Sequence, residues 1–176
     1  DFIAEAVNVV LVGPNGVGKS LIAQNLAHQA VLNGHSALFV NAAQMLGELA
    51  AQDGDNALRR RFAHYARPDV LVVDEIGYLS YGTRHADLLF EIVNRRYERK
   101  PTIITTNRPF AEWSEVFPNA ACVVSIVDRL IHHAEILVIE GESYRMREAK
   151  QRAARKKTAT SRKRRDRSTD NGDNTA

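Results

Sequence analysis

The chain has a single cysteine, Cys122, among 176 residues. That scarcity excludes an internal disulfide and a zinc cage of thiolates, and it makes a reducing cytoplasm the expected compartment. Cys122 itself reads as a core residue. No apolar run approaches the roughly 20 residues of a membrane span, and no basic-then-apolar leader opens the sequence, so no membrane partner is expected. No internal repeat is evident. The chain begins at Asp1, without Met and only a few residues before its first apolar run, so a further segment upstream is expected.

Hydrophobic residues supply 44% of the chain, which suits one domain with a substantial core. Charge is unevenly spread. Between Ala149 and Arg167 ten Lys and Arg face the single Asp166, whereas residues 1–148 hold 14 basic and 18 acidic residues. The division expected is a mildly acidic folded domain over 1–148 and a basic tail over 149–176. The tail lacks apolar periodicity and is expected to stay disordered. It is either a solvated appendage or a contact for nucleic-acid phosphates, salt-sensitive and indifferent to base sequence.

The strongest local signal is Gly13-Pro14-Asn15-Gly16-Val17-Gly18-Lys19-Ser20, which reads G-x-x-x-x-G-K-S. It follows the apolar run Val7 to Val12 and opens an amphipathic segment at Leu21, the strand, loop, helix setting of a phosphate-binding loop. Glycines let the backbone turn so that successive N–H groups face a polyphosphate at a helix N-terminus. Lys19 then reaches the β- and γ-phosphates of ATP and Ser20 ligates Mg²⁺. The expected nucleotide contacts run from Gly13 to Leu21, Pro14, Asn15 and Val17 included.

A second landmark is Val70-Leu71-Val72-Val73-Asp74-Glu75, four apolar residues ending in two carboxylates. In an open α/β sheet ligands bind at such strand ends. Asp74 is the expected Mg²⁺ partner, and Glu75 is placed to polarise an attacking water. A phosphoryl-transferring kinase has no need of that glutamate, because it activates an acceptor rather than water.

Patterning predicts an α/β fold, a parallel five-stranded sheet flanked by helices, with no large lid domain. Strands are expected at Val7 to Val12, Ser36 to Val40, Val70 to Glu75, Thr102 to Thr106 and Ile136 to Ile139. Helices are expected over Lys19 to Leu32, Ala42 to Ala51, Ala57 to Ala66, Arg84 to Arg99 and Ala120 to His133. In the first helix Leu21, Ile22, Leu26 and Ala30 form the expected apolar face. In the fourth, Leu88, Leu89, Ile92 and Val93 do so, with charges elsewhere. Asn107 ends its strand either as a turn residue before Arg108-Pro109, the reading its own neighbours favour, or as an amide near the expected γ-phosphate. Phe110 to Phe117, with Trp113, should pack beside the sheet. His132 and His133 read as ordinary, partly exposed histidines.

Taken together, the phosphate loop, Val72 to Leu79, Thr105-Thr106-Asn107-Arg108-Pro109-Phe110 with Glu112-Trp113, Asp128-Arg129-Leu130 and Gly141-Glu142-Ser143-Tyr144-Arg145 resemble the IstB family, helper ATPases of insertion-sequence transposition. The resemblance spans about Phe2 to Glu148. It implies membership of the AAA+ P-loop ATPases, in the clade of the DnaC helicase loaders and replication initiators, which carries an extra helix between the second and third strands. It implies that Asn107 is the first sensor, that Arg129 is an arginine finger reaching a neighbouring subunit's γ-phosphate, and that Arg145 is the second sensor. It further implies a homo-oligomer on duplex DNA that regulates a transposase, with a DnaC-like helicase loader as the alternative. The family's N-terminal helical region has no counterpart in this sequence.

Overall fold

A computed structural model describes residues 1–78, 80–144, 146–149 and 152. The 149–176 tail, apart from Ala149 and Arg152, lies outside the described residues, as does Arg145.

Five strands, β1 (Asn8–Val12), β2 (Ala37–Asn41), β3 (Val70–Ile76), β4 (Thr102–Thr106) and β5 (Ala134–Val138), form one sheet in the order β2-β3-β4-β1-β5. All four pairings are parallel. Among the described residues these strands are connected by α1 (Lys19–Leu32), α2 (Ala42–Ala50), α3 (Asp55–Ala66), α4 (Thr83–Arg96), α5 (Trp113–Val116) and α6 (Ala120–His132). A 3-10 turn, Phe110–Glu112, precedes α5. The expected strands and helices are present, with ends shifted by a few residues. Among the described residues no helix is long and apolar enough to cross a membrane.

Alternation along the strands builds two cores. Val9, Leu11, Val70, Val72 and Ile103 face α1, while Val10, Val40, Leu71, Val73 and Ile104 face α2 to α6. Each such side chain contributes about 1.5–3 kcal/mol by leaving water. Trp113 is fully buried in the larger core, as expected of the aromatic segment.

Two helix faces differ from the sequence expectation. On α1 the buried residues are Lys19, Ala23, Ala27 and Ala30, whereas Leu21 is 63% exposed and Ile22 is also exposed. Small alanines let this helix lie close against the sheet, and that closeness outweighs the larger apolar side chains turned outward. On α4 the surprise is Arg96, which is only 1% exposed. Cys122 is half-buried, and burial raises its thiol pKa.

At the sheet's opposite end from the phosphate loop, the start of β2 is joined to the α3–β3 turn by Asp69. Its carboxylate accepts from the Ser36 N–H (2.9 Å) and hydroxyl (2.7 Å) and pairs with Lys100 at 3.3 Å. Those bonds, the Ser36 backbone bond first, pull the Asp69 pKa from 3.8 down to about 2. A depressed carboxylate stabilises the fold above its unfolded value and loses that contribution as pH falls through the folded one. Asp69→Asn is therefore expected to flatten the decline of the urea midpoint between about pH 4 and pH 2. An unchanged acid profile in that variant would contradict the assignment.

Candidate nucleotide site

The strand order brings three C-terminal tips side by side, because β4 lies between β3 and β1. The phosphate loop leaves β1, Asp74 and Glu75 lie at the end of β3, and Asn107 follows β4. Ligands bind at this edge of parallel sheets, where the chain's crossovers diverge.

The loop is closely packed, and two glycines show why. A Cβ at Gly13 would lie 2.2 Å from the Ile139 carbonyl oxygen, and one at Gly16, where φ is +82°, would lie 2.2 Å from Ser143 Oγ. The segment after β5 therefore seats on the loop, fastened by Tyr144 N–H donating to the Gly16 carbonyl at 2.9 Å. Gly18 N-caps α1 with φ 100°, so the 14-residue helix presents its positive end to the loop. Lys19 is only 5% exposed, and its ammonium donates to the Gly13 and Pro14 carbonyls at 2.7 and 2.8 Å. A cation buried in this way needs oxygen partners, and a polyphosphate can supply them as well as the loop's own carbonyls.

A cleft of about 480 Å³ opens over the loop, lined by residues 16–21, Glu75, Tyr78 and Tyr144. The sequence-derived contacts Gly16, Val17, Gly18, Lys19, Ser20 and Leu21 thus line it together. Gly13 and Pro14 lie behind it as acceptors for Lys19. Asn15 accepts a hydrogen bond from the Tyr78 hydroxyl, joining the loop to the turn after β3.

The carboxylates owe their placement to a bulge. Val73 pairs with Ile104, yet Ile76 pairs with Thr106, so β3 carries one residue more than β4 between these pairs. Glu75 adopts the left-handed conformation, φ 63°, which costs a non-glycine residue roughly 1–3 kcal/mol unless neighbours over-determine it. Thr105, fully buried, supplies that determination. Its hydroxyl donates to Asp74 Oδ1 at 2.5 Å and accepts from the Glu75 N–H at 2.9 Å. Asn41, at the tip of β2, caps α2 through Oδ1 and donates from Nδ2 to Glu75 Oε2 at 2.9 Å. One threonine and one asparagine thus orient both acidic groups.

For the ATP hydrolysis proposed below, Thr105→Val is expected to lower kcat on the order of tenfold, with KM changed far less, because it frees the carboxylates without touching the loop. Thr105→Ser should restore most of the rate. Equal losses in the valine and serine variants would refute the hydroxyl's role.

Asn107 lies beside Gly77, and its Oδ1 is buried without a hydrogen-bond partner among the described residues. An orphaned acceptor between the loop and Glu75's strand suits a water or a phosphate-bound donor. The Tyr81 hydroxyl is likewise buried and without a partner among the described residues. Burial first, then the charge of Glu75, pushes its pKa up to about 12.

The structure does not bring Arg129 into this cleft. Its guanidinium lies 4.7 Å from the Phe90 ring centre and 5.8 Å from that of Tyr97, between α6 and the end of α4. Arg145 falls outside the described residues. Sequence reasoning missed Thr105, Asn41, Tyr78 and Tyr144. The available signal was polar residues at strand ends, with Thr105 inside an otherwise buried strand.

Residues 1–153 match the model of the IstB-like ATP binding protein family. The chain is 39% identical over 159 residues to the ATP-binding protein of insertion sequence IS21 from Pseudomonas aeruginosa, covering 90% of this chain and 60% of that protein. It is 35% identical over 147 residues to the ATP-binding protein of insertion sequence IS5376 from Geobacillus stearothermophilus, covering 84% and 59%. It therefore spans about 60% of the length of these relatives. Among solved structures, the DnaC helicase loader superposes with a TM-score of 0.65 at 22% identity, over 79% of this chain and 84% of that one, a likeness of fold. With a parallel sheet folded like that of the DnaC helicase loader and a phosphate loop set on it, this chain belongs to the family of IstB-like ATP-binding proteins.

Proposed function

We propose that this chain is the ATPase core of a transposition helper. It binds ATP with Mg²⁺, hydrolyses it to ADP and phosphate, assembles as a homo-oligomer on duplex DNA and regulates a transposase, with hydrolysis switching the assembly. The observation that carries the reading is the adjacency of three strand tips bearing the loop of Lys19, the carboxylates of Asp74 and Glu75, and Asn107, whose buried Oδ1 has no partner among the described residues.

The donor set offered to a metal, the Ser20 hydroxyl and the Asp74 carboxylate, is all hard oxygen, which fits Mg²⁺. When bound there, the ion supplies charge neutralisation on the phosphates. Lys19 exchanges its carbonyl partners for phosphate oxygens, and the loop's N–H groups hold the chain of phosphates in place. Glu75 orients a water in line with the γ-phosphorus and accepts its proton, with Asn107 as the second hydrogen-bonding group on that water. Arg129 serves the neighbouring subunit's nucleotide and Arg145 its own, each offsetting negative charge in the transition state. The basic tail and the arginines of α3, Arg59, Arg60 and Arg61, supply positive charge for DNA phosphates.

The test is complementation between subunits on duplex DNA. Arg129→Ala and Glu75→Gln chains should each be inactive alone. Mixed, they should regain turnover, because an intact Glu75 site can then receive an intact Arg129. A mixture as inactive as its parts would overturn the finger in trans. Turnover indifferent to duplex DNA would overturn the DNA-dependent switch.

A further inference from the structure

We propose that Glu98, His132 and His133 form a binding site for a divalent transition-metal ion of the zinc type, at the corner where α4 and α6 end. Their ligand atoms all lie within 4.8 Å of one another. Glu98 Oε1 is 3.5 Å from His132 Nδ1 and 3.9 Å from His133 Nε2. Donors around a tetrahedral zinc ion lie about 3.4 Å apart, given metal–donor distances near 2.1 Å. Closing the two carboxylate–imidazole gaps takes shifts of about half an ångström or less, and the imidazole–imidazole gap at most about 1.4 Å, within the reach of half-exposed side chains.

The backbone supports this arrangement from both sides. Glu98 takes the left-handed conformation, φ 56°, just past the end of α4, which turns its carboxylate back towards α6. His133 leaves the helix, and its carbonyl accepts from the Asn8 N–H at 2.8 Å, anchoring the second imidazole to β1. Two imidazoles and one carboxylate select zinc, nickel or cobalt over magnesium or calcium, which prefer all-oxygen sets. Three protein ligands leave a position for water. Tyr97 Oη, 2.7 Å from His132 Nδ1, is the group a metal displaces from that nitrogen, and it remains as a hydrogen-bond partner for the bound water.

Cobalt(II) is the probe, titrated into the nucleotide-free chain and followed by its visible absorption and by calorimetry. The expected result is one saturable equivalent. Its affinity should fall at least about tenfold in His133→Ala, His132→Ala and Glu98→Gln alike. In parallel, Zn²⁺ should raise the melting temperature of the unaltered chain but not that of His133→Ala. All three side chains are exposed, so the variants should fold, and circular dichroism verifies that. A cobalt signal that survives all three substitutions places the ion elsewhere and overturns the proposal, as does the absence of saturable binding in the unaltered chain.

Discussion

Glu75→Gln is expected to cut steady-state ATP turnover about 10²–10⁴-fold while leaving ATP affinity within about twofold. That loss corresponds to about 2.7–5.5 kcal/mol of transition-state stabilisation. The amide keeps the shape of Glu75 and can still bond to Asn41, but it cannot take a proton from water. Because Glu75 reaches the cleft from the bulge in β3 and not from the phosphate loop, the substitution separates chemistry from binding. Lys19→Ala should behave differently and lose affinity itself. Single-turnover rates and nucleotide binding measured on both variants check the separation. Turnover that survives in Glu75→Gln would mean that another group activates the water.

Arg96→Lys is expected to destabilise the fold by about 3–5 kcal/mol, a large part of the roughly 5–15 kcal/mol available to a domain. The Arg96 guanidinium donates to the carbonyls of Tyr65 (3.4 Å), Ala66 (3.0 Å), Pro68 (2.8 Å), Asp69 (3.1 Å) and Pro101 (2.6 Å) and to Thr102 Oγ1 (3.1 Å). Two of those carbonyls belong to the last turn of α3, where helix carbonyls lack partners and favour a cation. The others belong to the turns entering β3 and β4. One planar fork thus closes the end of a helix and fixes two strand starts. Burial pulls the Arg96 pKa down to about 10, offset in part by Asp69, so the group remains charged at neutral pH. Lysine, with three donors on one nitrogen, leaves buried carbonyls unsatisfied at about 1–3 kcal/mol each. Urea unfolding measures the effect. A midpoint equal to that of the unaltered chain would show that the cage contributes little.

These two residues also mark the limits of reading the sequence. The apolar runs of the five strands, the glycine-rich loop and the acidic end of β3 are local signals. Burial in a two-sided parallel sheet leaves no alternative for β1, β3 and β4, whereas the edge strands β2 and β5 stay partly exposed. Arg96 looked like any other charge on an amphipathic helix, because only the convergence of α3, β3 and β4 creates its cage. Glu75 was legible as a carboxylate at a strand end but not in its geometry. A one-residue bulge and a left-handed backbone follow from pairing with β4, and Thr105 became visible only once β3 and β4 were aligned. The outward face of α1 was misread because Leu21 outweighs Ala23 in hydrophobicity, although the alanines set how near the helix can lie. Arg129 carries the same lesson, since its place on Phe90 and Tyr97 depends on how α6 crosses α4.

The most direct test is a crystal structure of the Glu75→Gln chain grown with ATP and Mg²⁺. The account predicts triphosphate along residues 13–20 with Lys19 on its terminal oxygens, the metal held by Ser20 and beside Asp74, and a water between residue 75 and Asn107. Nucleotide bound away from the phosphate loop, or Asp74 and residue 75 turned from the γ-phosphate, would contradict it.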